Sequence, residues 1–340
     1  MNKFHKTLFL MTMISGTLVA ISSNSWLGMW LGLEINLLSI IPLLNNSKNM
    51  MSSEASIKYF ITQAIASSIL LMAAIMMILK TSMPFILQNN WMSILVLNSA
   101  LLTKMGAAPF HFWFPEVMEG LSWNNSMIML TWQKIAPMAV LMYVPKTINL
   151  ITVAIMFCML ISGIMGFNQT SLRKILAYSS INHIGWMLAS TIMFESLWMV
   201  YFVVYTIITL NIVLMFKSMN MFQVSQMSAV LKNNPQLKFM LSLNFLSLGG
   251  LPPFLGFMPK WLIIQELVRY NMTSIAIAMV ILTILTIYFY IRLIISPLLF
   301  INTTTMIQMG KTSPSKFLMF FTNLVALMGL ISCTLMFNWM

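Results

Sequence analysis

The sequence predicts an all-α polytopic membrane protein of about eleven transmembrane helices, built as inverted five-helix repeats with two broken helices. Three observations carry that expectation. Hydrophobic residues make up 59% of the chain and charged residues 7%, with a mean hydropathy of +0.89, whereas a soluble domain carries roughly 25% charge. Apolar runs of bilayer length recur from one end of the chain to the other. Two of them are interrupted by proline and glycine, and each interruption carries a lysine.

The runs fall near 6–22, 26–44, 55–79, 91–115, 124–143, 147–167, 172–192, 194–216, 238–268, 272–296 and 316–337. The first follows Lys3 and Lys6 as a signal peptide would, but no clear small-x-small cleavage site follows Ile21, so it reads as a spanning helix. The second holds Glu34 near its centre, in WLGLEINLLSIIPLL from Trp30 to Leu44. A glutamate at that depth is either protonated and hydrogen-bonded between helices or paired with a cation, because burial disfavours an isolated charge.

The fourth run contains LTKMGAAPFHFWFPEV, Leu102 to Val117. Lys104 sits about mid-span, where a charge costs roughly 2.5 to 3.5 kcal/mol on insertion scales, so it needs a partner or a role. Pro109 lacks a backbone donor and its ring clashes with the preceding turn, which predicts a break between Lys104 and His111. Carbonyls freed there must face protein or water, making the break the wall of a polar cavity. The competing reading is a kinked helix whose lysine snorkels. Glu116 and Glu119 follow at the membrane edge, as ordinary solvated charges.

Lys134 lies inside the fifth run, just before Pro137, which should loosen the backbone one turn on. The seventh reads SLRKILAYSSINHIGWML, Ser171 to Leu188. His183 can relay protons there with Tyr178, Ser179 and Ser180, or serve as a hydrogen-bonded packing residue. The ninth is interrupted by GGLPPFLGFMPKW, Gly249 to Trp261, with Pro252, Pro253, Pro259 and Lys260. Counting spans, each broken helix is the fourth of five. The repeats are therefore 1–143 and 144–296, followed by a loop and last helix at 297–340. Five is odd, so the second repeat enters the membrane opposite to the first. This repeat is read from the placement of the breaks, not from residue identity.

Loop charge tests the count. Twelve basic residues, Lys3, Lys6, Lys48, Lys58, Arg173, Lys174, Lys217, Lys232, Lys238, Arg292, Lys311 and Lys316, fall on the side of the N-terminus, against three on the other, Lys80, Lys146 and Arg269. By the positive-inside rule the N-terminus faces inward. The net charge of +12 is dispersed among hydrophobic segments, which speaks against nucleic-acid binding. Cys158 and Cys333 are too few for an iron–sulfur or structural zinc site, and no nucleotide-binding glycine fingerprint is present. The acids are six glutamates and no aspartate. Thirty-seven methionines, with abundant Phe, Ile and Asn, fit an A+T-rich organelle genome that reads ATA as Met.

The Glu34 stretch, LTKMGAAPFHFWFPEV, the Lys134 helix, AYSSINHIGW and GGLPPFLGFMPKW together resemble the antiporter-like subunits of respiratory NADH:ubiquinone oxidoreductase in their animal mitochondrial form, a family shared with the Mrp cation/proton antiporters. The resemblance covers the whole chain. It implies a proton relay through Glu34, Lys104, Lys134 and Lys260, with His111 and His183 as further candidates, and a core subunit that pumps protons while lacking any redox centre. NADH, FMN, iron–sulfur clusters and ubiquinone would belong to the rest of the complex, with no cofactor or metal held by this chain. Expected partners are other membrane subunits, neighbouring antiporter-like ones included, and lipids such as cardiolipin. The expected location is the mitochondrial inner membrane, with the N-terminus on the matrix side. The wider family has fourteen helices, so this chain resembles a form lacking three at the N-terminus. Two other readings stay open: a stand-alone cation/proton antiporter, which should be richer in acidic cation ligands, and a structural scaffold, which gives no reason for three mid-membrane lysines.

Overall fold

Every named element of the computed structural model, which describes residues 3–46, 49–82, 91–231, 235–252, 254–299 and 324, is an α-helix. Apart from Leu324, the helix expected at 316–337, with Cys333, lies outside the described residues, as do Lys48, Lys232, Pro253, Lys311 and Lys316. The chain folds as two compact units, Met1–Phe157 and Cys158–Met340.

The first unit contains α1 (Lys3–Ser22), α2 (Trp26–Leu44), α3 (Met50–Ser82), α4 (Trp91–Met105), α5 (Trp113–Gly120), α6 (Trp123–Leu130), α7 (Trp132–Tyr143) and the start of α8 (Ile148–Gly166). Here α2 packs on α1 and α3, α3 on α4 and α5, and α7 on α1, α2, α4 and α6. The second unit takes the rest of α8 with α9 (Leu172–Met193), α10 (Glu195–Ser218), α11 (Val224–Leu231), α12 (Pro235–Gly249), α13 (Phe257–Arg269) and α14 (Thr273–Leu299). There α10 packs on α9, α12 and α13, while α14 meets α9, α11, α12 and α13.

Six of these helices, α1, α2, α3, α8, α10 and α14, are long and apolar enough to cross a membrane. Their side chains are distributed inside out compared with a soluble protein. On α2, Leu27, Leu31, Ile35 and Leu38 are exposed while Asn36 and Ser39 are buried; on α14, Ile277, Ile281 and Ile284 are exposed while Thr283 and Thr286 are buried. Lipid makes apolar exposure free, so polar groups are what must find partners inside. The chain is thus a multi-pass membrane protein.

The expected break at Pro109 is present: α4 stops at Met105 and α5 starts at Trp113. The second is present too, between Gly249 and Phe257, and Pro259 sits in the first turn of α13, where its missing N–H has no intrahelical acceptor to lose. Two features differ from expectation. The fifth span is interrupted at Thr131, ahead of Lys134, instead of one turn after it, and Pro137 stays inside α7. A proline ring displaces the carbonyl four residues earlier, here that of Gln133, so the disturbance falls upstream. Between α10 and α12, where a loop was expected, the short helix α11 forms. The side-chain carbonyl of Gln226 accepts from the backbone N–H groups of Phe222 (2.7 Å) and Gln223 (3.2 Å) at its start.

Candidate functional site

Both breaks are built by the same local device. At the end of α4, Gly106 adopts φ +72°, its N–H donates to Thr103 O (3.1 Å), and the N–H of Ala107 donates to Leu102 O (3.0 Å). At the end of α12, Gly250 adopts φ +72°, its N–H donates to Ser247 O (3.0 Å), and the N–H of Leu251 donates to Leu246 O (3.3 Å). These paired bonds around a left-handed glycine form the Schellman closure of a helix C-terminus. The sequences share more than the glycine: Gly106, Pro109 and Phe110 recur at the same spacing as Gly250, Pro253 and Phe254.

In the first unit, Lys104 occupies the last turn of α4 and is 6% exposed. Glu34, partly buried on α2, is the acid whose charge reaches it, without a direct salt bridge between them among the described residues. The carbonyl of Lys104 accepts from Gln63 Nε2 of α3 (3.3 Å), and that of Thr103 accepts from the indole N–H of Trp113 (3.1 Å). Two carbonyls at the helix end thus have side-chain donors, as the absence of water in a bilayer requires. Lys134 on α7 is 2% exposed, with Nζ 6.0 Å from the centroid of the Phe114 ring. His111 is buried beside the break, with Nδ1 3.2 Å from Pro109 O.

A set of neutral side chains that the sequence reading passed over ties these residues together. Asn36 Nδ2 donates to Gln133 Oε1 (3.0 Å), and Gln133 Nε2 donates back to Asn36 Oδ1 (3.0 Å). The hydroxyl of Tyr59 donates to the same Gln133 oxygen (3.3 Å). The Tyr59 ring meets Trp113 edge-on at 5.7 Å. A signal for α3 was available, since Tyr59, Gln63 and Ser67 recur every four residues and so share one face of an otherwise apolar helix. All three are buried.

In the second unit, Lys260 on α13 is 6% exposed and reaches back across the break. Its ammonium donates to Gly249 O (2.8 Å) and Leu248 O (3.4 Å), the last carbonyls of α12, and lies 5.8 Å from the Trp186 ring centroid. The two lysines therefore use their breaks differently: Lys104 belongs to the helix that ends there, whereas Lys260 belongs to the one that begins. His183 on α9 is buried and shares a 2.8 Å hydrogen bond between Nδ1 and the Tyr201 hydroxyl of α10. Tyr205, one turn along α10, sets its ring at a tilt to that of His183, with centroids 5.0 Å apart, and hydrogen-bonds Ser180. The tyrosines against His183 thus come from α10. Glu116 forms an exposed ion pair with Lys58 (2.8 Å), a solvated charge as expected.

Helices of bilayer length, two glycine-closed breaks and buried lysines at or beside them define a broken-helix membrane carrier. The chain belongs to the family described as NADH:quinone oxidoreductase/Mrp antiporter, whose transmembrane region matches residues 23–286. Among similar proteins, NADH-ubiquinone oxidoreductase chain 2 of Anopheles gambiae is 54% identical over 86% of each chain. Its counterpart in Aedes aegypti is 49% identical over 99% of each, and that of Mammuthus primigenius is 40% identical over 97% of each. Among solved structures, the fold resembles a chain of respiratory complex I from Thermus thermophilus, with TM-score 0.86 at 22% identity, covering 98% of this chain and 79% of the other. It also resembles a chain of the Mrp complex from Dietzia, with TM-score 0.73 at 17% identity, covering 84% and 59%.

Proposed function

We infer that this chain is a proton-translocating membrane subunit of a respiratory NADH:ubiquinone oxidoreductase, in which Glu34, Lys104, Lys134 and Lys260 hold protons in turn and His111 and His183 assist. The observation that carries the relay is the burial of three lysines in apolar helices, at 6%, 2% and 6% exposure, two of them beside the glycine closures that end α4 and α12. Such charges are expensive at mid-membrane and mark ion pathways. The step is electrostatic. A unit charge at about 4 Å with an effective dielectric near 20 contributes roughly 4 kcal/mol, so motion of the Glu34 carboxylate toward or away from Lys104 changes the hold of that lysine on its proton. Quinone reduction elsewhere in the complex drives that motion, and NADH, FMN, iron–sulfur clusters and ubiquinone are handled by other subunits.

Within this proposal the chain has eleven spans, with 1–143 and 144–296 as inverted repeats and 297–340 supplying the last helix. It lies in the mitochondrial inner membrane with its N-terminus on the matrix side, as the basic loop residues suggest. Neighbouring antiporter-like subunits are its partners, with cardiolipin among the lipids around it.

The second reading, a stand-alone cation/proton antiporter, finds support in the fold likeness to an Mrp chain, but six glutamates and no aspartate are a poor ligand supply for a cation. Native gel electrophoresis of solubilised membranes separates the two. Co-migration with NADH-oxidising activity in a large complex supports the subunit reading; a small assembly that exchanges sodium for protons in vesicles overturns it.

A further inference from the structure

We propose that Asn36 and Gln133 are positioning residues, a buried amide clasp that fixes the Glu34 helix and the Lys134 helix in one register so that the relay moves side chains and not helices. The inference rests on the proton-relay reading above. Each amide gives one N–H to the other and takes one back, both at 3.0 Å, closing a ring of two hydrogen bonds between α2 and α7. Asn36 is 4% exposed and Gln133 9%. In a bilayer interior such groups have no water to turn to, so each amide is held by the other.

Placement gives the clasp its role. Asn36 is two residues from Glu34, which puts the two on nearly opposite sides of α2. The clasp therefore anchors one side of the helix and leaves the carboxylate on the other free to rotate. Gln133 immediately precedes Lys134, in the first turn of a helix that restarts at Trp132 after the Thr131 interruption. A helix start without a side-chain cap is held poorly by its own backbone, and the amide supplies the missing tether. The second lone pair of Gln133 Oε1 takes the Tyr59 hydroxyl at 3.3 Å. Tyr59 rests edge-on against Trp113, whose indole N–H holds the Thr103 carbonyl beside Lys104. One connected set of neutral groups thus touches the chain within two residues of Glu34, Lys104 and Lys134.

The test uses assembled complex in sealed vesicles, reading NADH oxidation and proton translocation per electron. Asn36→Leu and Gln133→Leu each keep side-chain bulk and orphan one amide; the expected result is a loss of about tenfold in pumping. The exchange variant Asn36→Gln with Gln133→Asn keeps the summed side-chain length and both hydrogen bonds, and is expected to restore pumping to within about twofold of the parent. Should the single variants fail to assemble, Asn36→Leu with Gln133→Leu removes both amides together, and Tyr59→Phe added to it removes the hydroxyl that would lose its Gln133 acceptor; it is expected to assemble and still pump poorly. Wild-type pumping in the double-leucine variant, or an exchange variant no better than the single ones, overturns the clasp. Lys134→Met in the same vesicles separates the two readings. If it pumps normally the relay itself is wrong, whereas if it stops pumping while the leucine variants pump normally, only the clasp is.

Discussion

Lys260 Nζ donates to the carbonyl oxygen of Gly249 at 2.8 Å, so the cation of the second break is held by the carboxyl end of a helix instead of by an acid. The last carbonyls of a helix lack intrahelical donors and carry its negative partial charge. Lys104, by contrast, lies in the last turn of its own helix and makes no salt bridge with an acid among the described residues. Lys260→Arg should preserve those hydrogen bonds, because guanidinium also donates, but arginine does not release its proton at accessible pH. The expected outcome is normal assembly with pumping lost. Normal pumping would mean that Lys260 is a structural tie and carries no proton.

Gly250→Ala should harm the complex more than Gly106→Ala. Both residues have φ +72°, and the left-handed region costs an L-residue about 1 to 2 kcal/mol. At Gly250, however, a Cβ would also fall 2.7 Å from Lys260 Cδ and 2.8 Å from Nζ, displacing the ammonium from its carbonyls. At Gly106 the nearest atom, Phe114 Cβ, is 3.1 Å away. Thermal inactivation of the two variants, with pumping measured beside it, should show similar stability losses and a pumping defect concentrated in Gly250→Ala.

Tyr201→Phe should slow pumping without disturbing packing. The ring is 2% exposed and remains the same shape, so what is removed is the hydroxyl bonded to His183 Nδ1 at 2.8 Å. A relay through His183 predicts a drop of several-fold, on the order of one lost hydrogen bond of about 1 kcal/mol. Equal effects of Tyr201→Phe and Tyr205→Phe on assembly, with pumping intact in both, would place His183 in packing alone.

Glu116→Gln is the matched contrast to Glu34→Gln. The Lys58–Glu116 pair is 2.8 Å long, but its side chains are 41% and 56% exposed, and Lys58 also pairs with Glu54 at 2.9 Å. Exposed pairs contribute about 0 to 1 kcal/mol, so Glu116→Gln should leave assembly and pumping near the parent level. Glu34→Gln, which removes the acid acting on Lys104, should depress pumping strongly in the same assay.

Much of this architecture is legible in the residues because the bilayer amplifies rare events. A lysine at 104 or 260 and a proline at 109 or 253 interrupt apolar sequence so sharply that both breaks could be placed within a few residues. What was not legible depends on pairing in space. Asn36 and Gln133 are 97 positions apart, and neither periodicity nor charge connects two neutral amides. The interruption at Thr131 has no glycine or proline of its own and falls six residues before Pro137, so no residue at the site announces it. Tyr178 looked like the partner of His183 by closeness in sequence, yet five positions turn a helix by about 140°, and the hydroxyl at His183 Nδ1 belongs to Tyr201 of α10 instead.

The central claim is that Lys104 holds a proton on its way across the membrane, and Lys104→Met tests it most directly. Methionine nearly matches the lysine stem in volume, and loss of a buried charge relieves a cost of a few kcal/mol, so folding and assembly should survive. With no titratable group left at the end of α4, membrane-potential formation by assembled complex in sealed vesicles should collapse. Tight coupling should carry that loss back to NADH oxidation, although no electron carrier is touched. Normal assembly with unchanged potential and unchanged NADH oxidation would contradict the account, leaving Lys104 a tolerated charge at the end of a broken helix.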